Sequence, residues 1–446
     1  MVSIATALQR IKDDPQAVIA PSIIENVCVE LGLEWRNTSL TPPVTIALLA
    51  QQVLAGNISN PELIRLAGLD VTAAAYCTAK GRLPLEAVRE ISRRVCDAAQ
   101  RAMDADESCR WKGHRTWQVD GSSFSMPDTP ELQAHFGQPG NQKPGCGFPV
   151  AHLLCLFSAV GGLVRDLTVA PLRTGDLAAA PQVHPNLRPG DILIGDTSFG
   201  SYFHLALLKK QGVFGVFPIH QKRIVSFRPH RSHSRAGNNR RTGKPTSRWI
   251  KKLGKDDQLV EYFKPVERPK WMSREQYDAM PASIVVREIR RKVYKSGHRP
   301  LIIVIVTTLL DPELYPAEPI VELLKQRWNV EGNLRHLKTT MNMEVLRCHG
   351  VQAVQKELWT FLLIYNLIRV IMMEASRRQT AALDRISFAD ALYWMRHAKP
   401  GGSLPDLMVN PHRPNRLEPR AIKRRPKQYD RLNKPRAEMR KALKKQ

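Results

Sequence analysis

Two aspartates in the sequence stand where short apolar segments end, a position that suits a carboxylate that binds a cation. Asp120 follows the segment TWQV and precedes a glycine. Asp196 closes the segment DILIGD and precedes Thr197. Because strand ends can meet at one edge of a sheet, carboxylates there can bind a divalent ion together. Asp191 opens the second segment, so we expect it at the opposite edge of the sheet.

A third acid, Glu331, lies in the stretch QRWNVEGNLRHLK at 326–338, which has the pattern of a helix. At about 3.6 residues per turn, Arg327 precedes Glu331 by one turn and Lys338 follows it by about two. We predict one helix that begins after Pro316 and runs through this stretch. The residues expected on one side of that helix are Leu324, Arg327, Glu331, Leu334 and Lys338.

These residue types fit one chemistry, the cleavage of phosphodiester bonds with the help of metal ions. Two Mg²⁺ ions ~4 Å apart can activate an attacking oxygen and stabilise the leaving one. Mg²⁺ prefers oxygen ligands and keeps several waters, so two aspartates and one glutamate suffice. Arg327 can hold a flanking phosphate with a bidentate fork, and Lys338 can do so as a point charge.

Each of these features alone has a simpler structural explanation. An aspartate before glycine is usually a turn residue, and an arginine–glutamate pair one turn apart is usually a weak salt bridge. The chain, however, has 67 Lys and Arg against 41 Asp and Glu, a net charge of +26. Such a balance indicates a polyanionic partner, nucleic acid first and a membrane surface second. The three acids in so basic a chain favour a metal-dependent nuclease or strand-transfer site.

The cysteines and the apolar segments indicate the cellular compartment in which the protein is expected. The seven cysteines include no Cys-x-x-Cys spacing, and we interpret them as reduced thiols of a cytosolic protein without a structural zinc. No basic segment followed by an apolar run lies near Met1, so we expect no export signal. The longest apolar segment, 358–373, is interrupted by Asn366 and Arg369 and is shorter than the ~20 residues of a membrane span. We predict a buried core helix there.

The pattern divides the 446 residues into five parts. We predict a helical DNA-binding region at 1–110 and the first part of an α/β catalytic domain at 111–218. A basic, strand-rich insertion follows at 219–300, and the second part of the catalytic domain at 301–376. The C-terminal region at 377–446 carries a basic arm that contains prolines.

Within the first region, residues 60–84 have the pattern of two short helices around a turn at Gly68, with Asp70 as the expected N-cap of the second helix. This layout fits a helix-turn-helix, which places its second helix in the major groove of DNA. A plain helical hairpin is the simpler alternative, and the sequence alone favours it.

The second region changes to short, β-branched apolar segments. The predicted strands are 116–121, 150–159, 163–170, 191–196 and 213–219, with a helix at 202–212 between the last two. This order predicts a mixed sheet with helices packed on it. Further strands are expected at 283–294 and 301–310.

Two segments concentrate the positive charge. Between Gln221 and Lys255 there are twelve Lys and Arg and no acid, and the tail from 401 has fourteen Lys and Arg against four acids. We expect both segments to bind phosphates rather than read bases, so the affinity for DNA should fall steeply with salt.

The chain resembles bacterial insertion-sequence transposases of the DDE class, in the group with the Y-R-E-K signature, the insertion sequence four type. The resemblance covers roughly residues 60–430 and rests on VDGSSFSMPDTPE, NQKPGCGFPVAHLL, PLRTGDLA, GDILIGDTSFGSY, ELWTFLLIYNLIRVIM and, above all, the long block at 307–348. In that block, Arg327, Glu331 and Lys338 match the Arg-x3-Glu-x6-Lys spacing of the signature.

The resemblance implies that Asp120, Asp196 and Glu331 form the metal-binding triad of a ribonuclease-H-like fold. It implies two Mg²⁺ ions, for which Mn²⁺ can substitute, and double-stranded DNA as partner, both the terminal inverted repeats and the target. It also implies a homodimer in the synaptic complex, no membrane, and a bacterial cytoplasmic, nucleoid-associated location.

In the relatives, the insertion before the glutamate is mostly β-strand and can supply a tryptophan on which a flipped base stacks. Trp249 and Trp271 are the candidates in this chain, and an ordinary core position is the alternative for each.

The chain departs from the group's pattern at three positions. Leu324 stands where the signature has tyrosine, Gly332 directly follows Glu331, and Ser198 takes the place of a small glycine after the second aspartate.

The expected function is Mg²⁺-dependent cleavage at inverted-repeat ends followed by strand transfer. The two alternatives are a metal-dependent DNA nuclease without transposition and a DNA-binding repressor descended from a transposase whose site has decayed.

Overall fold

The computed structural model describes most of the 446 residues. The described ranges are 21–36, 38–140, 142–220, 223, 225–230, 246–293, 301–397, 403–411 and 434–444. Residues 1–20, part of the basic stretch at 221–255 and most of the basic tail lie outside them.

Five α-helices form the described part of the N-terminal region, which starts at residue 21. They are α1 (Pro21–Glu30), α2 (Pro42–Leu54), α3 (Asn60–Ala67), α4 (Ala73–Arg82) and α5 (Leu85–Asp104). The expected cap at Asp70 is wrong, because the Thr72 side chain accepts the N–H of Ala75 at 3.0 Å and so begins α4. Asp70 instead lies in the turn that follows Gly68, which ends α3 in the left-handed conformation at φ 63°.

Nine strands of the described residues form a single mixed sheet. They are β1 (Thr116–Ser125), β2 (Val150–Ser158), β3 (Val164–Pro171), β4 (Ile192–Ile194), β5 (Phe214–Pro218), β6 (Ser247–Gly254), β7 (Asp257–Phe263), β8 (Ser283–Val293) and β9 (Leu301–Thr307). The order across the sheet is β3-β2-β1-β4-β5-β9-β8-β7-β6. Strand β4 runs parallel to both β1 and β5, whereas the other pairs are antiparallel.

The α/β, ribonuclease-H-like fold class is therefore confirmed, and each strand named from the sequence is present with small shifts at its ends. The predicted helix at 202–212 is α8 (Tyr202–Lys210). Strands β6, β7 and β8, which fall within 219–300, continue the central sheet beyond β9 rather than forming a separate one.

Helices cover both faces of the sheet. On one face, Leu153 and Cys155 of β2 pack with α5 and the long helix α12 (Val351–Gln379). On the other face, Leu154 and Leu156 pack with α8 and the short helix α7 (Asp176–Ala179). Two further α-helices among the described residues are α6 (Pro130–Phe136) and α9 (Arg274–Asp278). The alternation of side chains along β2 thus joins two apolar cores through one sheet.

The predicted single helix after Pro316 is wrong. The structure has α10 (Ala317–Lys325), a tight turn at 326–327, α11 (Trp328–Arg335) and a π-helical turn (His336–Thr340). The amide N–H groups of Gln326 and Arg327 bond to carbonyls three residues back, which tightens the chain at the junction. Sequence periodicity could not show this, because each piece keeps helical spacing. Leu324 ends buried against the sheet, whereas Glu331 is exposed.

Helix α12 is long and apolar enough to cross a membrane by length and composition alone, but 89% of its apolar window is buried inside the fold. Its polar side chains bind the β2–β3 hairpin. The Asn366 side chain bonds both the N–H and the carbonyl of Val164 at 2.8 Å, and Arg369 donates to the carbonyl of Gly161 at 2.8 Å. The prediction of a buried core helix at 358–373 is confirmed. Helices α13 (Phe388–His397) and α14 (Arg436–Leu443) follow it.

A pair of buried charges on α12 ties the N-terminal helices to the part of the fold that carries the sheet. The Lys356 ammonium donates to the carbonyls of Lys80, Gly81 and Leu83 at 2.7–3.2 Å, at the end of α4. The neighbouring Glu357 accepts the side-chain amide of Asn57 at 2.7 Å. These contacts satisfy carbonyls that a helix end leaves without partners, and they fix α4 relative to the sheet.

We expect Lys356→Met to destabilise the protein by about 2–3 kcal/mol, because one buried and two part-buried carbonyls lose a charged donor. Urea unfolding at neutral pH measures the change. Arg377→Met on the same helix is the control, since its exposed side chain should give a change within ~0.5 kcal/mol. Equal effects of the two substitutions would contradict this role for Lys356.

Candidate functional site

Asp120 and Asp196 lie at the same edge of two neighbouring parallel strands. Strands β1 and β4 pair with Gln118 opposite Ile194, and each aspartate follows two residues later in its chain. Asp196 begins a turn in which its Oδ1 accepts the backbone N–H of Ser198 at 2.8 Å and the Ser198 hydroxyl at 2.6 Å. Asp120 Oδ1 accepts the N–H of Gly121 at 2.9 Å. In both carboxylates, one oxygen has no hydrogen bond from a described residue.

Asp191, at the other end of β4, shows what a structural aspartate looks like in this fold. It is 3% exposed and accepts two hydrogen bonds from Arg115, at 2.8 and 2.6 Å, and one from the Trp117 indole at 3.0 Å. It lies at the opposite edge of the sheet, as expected. Asp191 differs from Asp120 and Asp196 in that a cation of the fold, Arg115, neutralises its carboxylate.

The electrostatics of Asp120 indicate a carboxylate whose negative charge is not balanced within the fold. Burial, followed by the charges of Asp196 and Asp176, raises the pKa of the Asp120 carboxyl to about 6. The N–H of Gly121 and the charge of Arg327 act in the opposite direction without cancelling this. Because none of the described cations forms a salt bridge with Asp120 or Asp196, a bound divalent ion would relieve their repulsion.

The segment 326–338 meets every second residue of β1. The side-chain amide of Gln118 donates to the carbonyl of Gln326 at 2.8 Å. The charge of Arg327 acts on Asp120, the next residue of β1 on the same face. The Lys338 ammonium donates to the hydroxyl of Ser122 at 3.0 Å and to the carbonyl of Ser123 at 2.8 Å.

Glu331 lies between Arg327 and Lys338 on α11, which packs against β1. Its side chain is exposed and makes no hydrogen bond or ion pair with any residue that the structure describes. It is not among the charges that shift the pKa of Asp120. Within the described ranges, no group of three or more His, Cys, Asp or Glu side chains is already arranged to hold a metal ion.

A further acid, Asp176, lies behind β1 on the face opposite to Asp120. Its Oδ1 lies 2.8 Å from His152 Nε2, and its other oxygen lies 3.4 Å from the Ser198 hydroxyl. Sequence reasoning assigned it no role, because it begins a helix of only four residues, far along the chain from both aspartates.

The surroundings of Gly121 explain why a glycine follows Asp120. A Cβ at this position would lie 2.4 Å from Asp176 Oδ1 and 2.9 Å from the His152 ring. Gly332, the glycine after Glu331, is different, since an added Cβ there would meet nothing within 4 Å. Only the first of the two glycines is required by its surroundings.

The three aromatic or apolar positions singled out in the sequence lie in different surroundings. Leu324 is 5% exposed in the core beneath α10, and it also lines a cavity beside Arg327. Trp249 lies half-buried in β6 beside His230, with ring centroids 4.6 Å apart. Trp271 is half-buried and packs on the core around α8.

A cavity of about 500 Å³ opens beside Arg327 and the turn that follows Asp196. Trp328 lines it and is 45% exposed, so an indole lies next to Arg327 that the sequence analysis did not single out. The wall also includes Thr197 and Arg223. A strand of nucleic acid at the two aspartates would therefore find positive charge and an aromatic surface in the adjoining cavity.

The fold and the paired strand-end aspartates define a protein of the ribonuclease-H-like class. The chain belongs to the family described as "Transposase DDE domain", whose model matches residues 111–367. It is thus a DDE transposase, an enzyme that cuts and joins DNA, and enzymes of this family generally use divalent metal ions.

Two bacterial relatives agree with the family. The chain is 24% identical over 380 residues to Transposase InsG for insertion sequence element IS4 of Escherichia coli (strain K12), covering 80% of this chain and 78% of that protein. It is 25% identical over 150 residues to Putative transposase InsZ of the same organism, covering 33% of this chain and 49% of InsZ. The solved piggyBac transposase synaptic complex with hairpin DNA aligns with 90% of this chain and 80% of its own, at 11% identity and a TM-score of 0.41.

The two glycines give a matched pair of substitutions. We expect Gly121→Ala to destabilise the protein by about 1–3 kcal/mol, because the new methyl group overpacks Asp176 and His152. Gly332→Ala should instead stabilise it by up to ~1 kcal/mol, since glycine is a poor helix former and the methyl group meets no other atom. Thermal unfolding of both variants measures the changes, and a Gly121→Ala protein as stable as wild type would refute the packing described here.

The raised pKa of Asp120 predicts a pH-dependent effect of Asp120→Asn. A folded-state pKa of about 6, above the ordinary value of 3.8, means that stability is lost as the pH rises between these values. Without metal at pH 7.5, Asp120→Asn should therefore stabilise the protein by roughly 1–2 kcal/mol, a figure reduced for partial exposure. At pH 4 the gain should vanish.

Denaturant unfolding of wild type and variant at both pH values, in the presence of a chelator, tests this. The exposed Asp406→Asn is the control and should show no pH-dependent gain. A gain for Asp120→Asn at pH 4 as large as at pH 7.5 would contradict the assigned cause.

Proposed function

We propose that Asp120, Asp196 and Glu331 together hold two Mg²⁺ ions, for which Mn²⁺ can substitute. The observation that carries the proposal is the pair of unneutralised aspartates on adjacent parallel strands, with the pKa of Asp120 raised to about 6. Carboxylate oxygens are the donors that Mg²⁺ prefers. Glu331 is exposed on α11, which packs against β1, and in the proposed site its carboxylate turns toward Asp120 when the ions bind.

The surrounding residues would bind and orient the substrate. Arg327 and Lys338 flank the Glu331 position and would hold the phosphates on either side of the bond that is cut. Ser198 keeps one oxygen of Asp196 engaged and so leaves the other for coordination. Bound ions would supply charge stabilisation to the attacking and leaving oxygens of the phosphodiester.

The substrate that we propose is double-stranded DNA at the terminal inverted repeats of an insertion sequence, cut and then joined to target DNA. The similarity to a transposase of IS4 over most of both chains supports it. A homodimer would pair two ends, in the cytoplasm of a bacterium at its nucleoid.

We further propose that the N-terminal helices and the basic segments bind DNA. Helices α3 and α4 pack around the turn at Gly68, and Thr72, Ala75 and Arg82 are exposed along α4. This arrangement supports a helix-turn-helix, although a plain hairpin has the same contacts. Trp249 and Trp271 remain the proposed surfaces for stacking a flipped base.

The two alternative functions gain no support. A decayed repressor was suggested by Leu324 and Gly332, but Leu324 is a core residue and Gly332 disturbs no neighbour. A nuclease without transposition would cut a single end, whereas a transposase that pairs ends should need two. The number of ends required for cleavage separates them.

The test is cleavage of inverted-repeat DNA by three isosteric variants. We expect Asp196→Asn and Glu331→Gln each to lower Mg²⁺-dependent cleavage by more than ~100-fold, since even partners of metal ligands contribute 10–100-fold. Both should bind the ends as wild type does, in a gel-shift assay. Asp176→Asn, on the far face of β1, should lower cleavage less than Glu331→Gln.

The reverse order, with Asp176→Asn inactive and Glu331→Gln active, would replace Glu331 by Asp176 in the site. Full cleavage by Asp196→Asn would overturn the proposal as a whole.

A further inference from the structure

Strand β1 continues well beyond the aspartates. The part of β1 after Asp120 extends to Ser125, a distance of roughly 17 Å at ~3.3 Å per residue. Lys338 binds the strand on the way, through Ser122 and Ser123. The chain after the strand reaches Asp128 and then α6, so this end of β1 projects from the site toward the C-terminal helix α14.

Helix α14 is fastened to this end of the fold by Arg436, whose backbone N–H donates to the carbonyl of Gly145 at 3.2 Å. The Arg436 guanidinium forms an ion pair with Asp128 at 2.6 Å, and its distance to the ring centroid of Phe148 is 4.9 Å. It also donates to the carbonyls of Gly145 and Gly147 at 3.2 and 3.1 Å. We call this set of contacts the Arg436 latch.

Apart from the contacts of the Arg436 latch, α14 does not pack into the core. None of its side chains is buried, and Met439 and Leu443 are 42% and 69% exposed. Its remaining cations, Arg440, Lys441 and Lys444, are all exposed, against one acid, Glu438. A helix of eight residues is marginal alone, so its position depends on the latch.

We propose that the latched helix α14 is a DNA-backbone contact that extends the positive charge of Arg327 and Lys338 along β1. This inference rests on the proposed function, which places the cleaved bond at Asp120 and Asp196. At ~3.4 Å per base pair, the latch lies roughly five to eight base pairs from that bond. Arg440, Lys441 and Lys444 bind phosphates there and read no bases.

Charge complementarity supports DNA as the occupant. The acids on this path are already engaged: Asp128 is paired with Arg436, Glu131 accepts the N–H of Val351 at 2.8 Å, and Glu344 lies 3.7 Å from Lys338. The exposed charged groups of α14 and of the residue after it are three cations and one acid. A duplex leaving the aspartates along β1 would therefore meet a cationic surface.

The experiment compares the loss of the charges with the loss of their anchor. One variant combines Arg440→Gln, Lys441→Gln and Lys444→Gln. A second, Asp128→Asn, keeps every cation of α14 but removes the charge that holds Arg436. We expect both to lose hydroxyl-radical protection of the inverted-repeat duplex roughly five to eight base pairs from the cleaved bond, and to lower the salt slope of binding.

Lys209→Gln with Lys210→Gln is the matched control. These exposed lysines end α8, next to Gly212, whose carbonyl accepts the N–H of Gly190 at the far edge of the sheet. They should change neither protection nor the salt slope. The proposal would be overturned if the triple variant kept the hydroxyl-radical protection. It would also be overturned if the triple variant lost this protection while Asp128→Asn kept it at the wild-type level.

The same assay separates this inference from the proposed function. Wild-type cleavage at the inverted-repeat ends reports the function. If wild type cuts and the triple variant keeps its footprint, only the role of α14 fails. If the wild-type protein does not cut these ends, the proposed function is rejected, and with it the position of the cleaved bond from which the inference starts.

Discussion

The structure depends on the proximity of two like charges at one edge of the sheet. Parallel pairing of β1 and β4 brings the Asp120 and Asp196 carboxylates together, and burial makes their repulsion costly. A fold that keeps such a pair without a matching cation carries a destabilising element, which a divalent ion would remove. The rest of the site can be understood as the means of holding this pair in place.

The opposite end of the same strands supplies the restraint. Asp191 is tied to Arg115 and Trp117, so β4 is pinned to β1 at the edge away from the site. At the site itself, Ser198 orients Asp196, and the absence of a side chain at Gly121 leaves room for Asp176 and His152. The order in which β1 meets Gln326, Arg327 and Lys338 then places α11 over the aspartates.

The sequence predicted the parts of this arrangement that depend on local pattern. Apolar segments that end in an acid gave the strands and both aspartates, because strand ends and burial are visible in a single stretch of chain. The Arg327, Glu331 and Lys338 spacing was also readable, but the break at 326–327 was not. Asp176 could not be found, since its partners His152 and Ser198 are brought to it only by tertiary packing. Thr72 was missed as a cap because both it and Asp70 are good capping residues, and only the turn geometry decides between them.

The central claim is that the two aspartates and Glu331 share metal ions. Anomalous diffraction from crystals of the protein with inverted-repeat DNA and Mn²⁺ tests this most directly. The account predicts metal peaks at a coordination distance of ~2 Å from oxygens of Asp120, Asp196 and Glu331. Peaks held by Asp176 in place of Glu331, or no peak between Asp120 and Asp196, would contradict it.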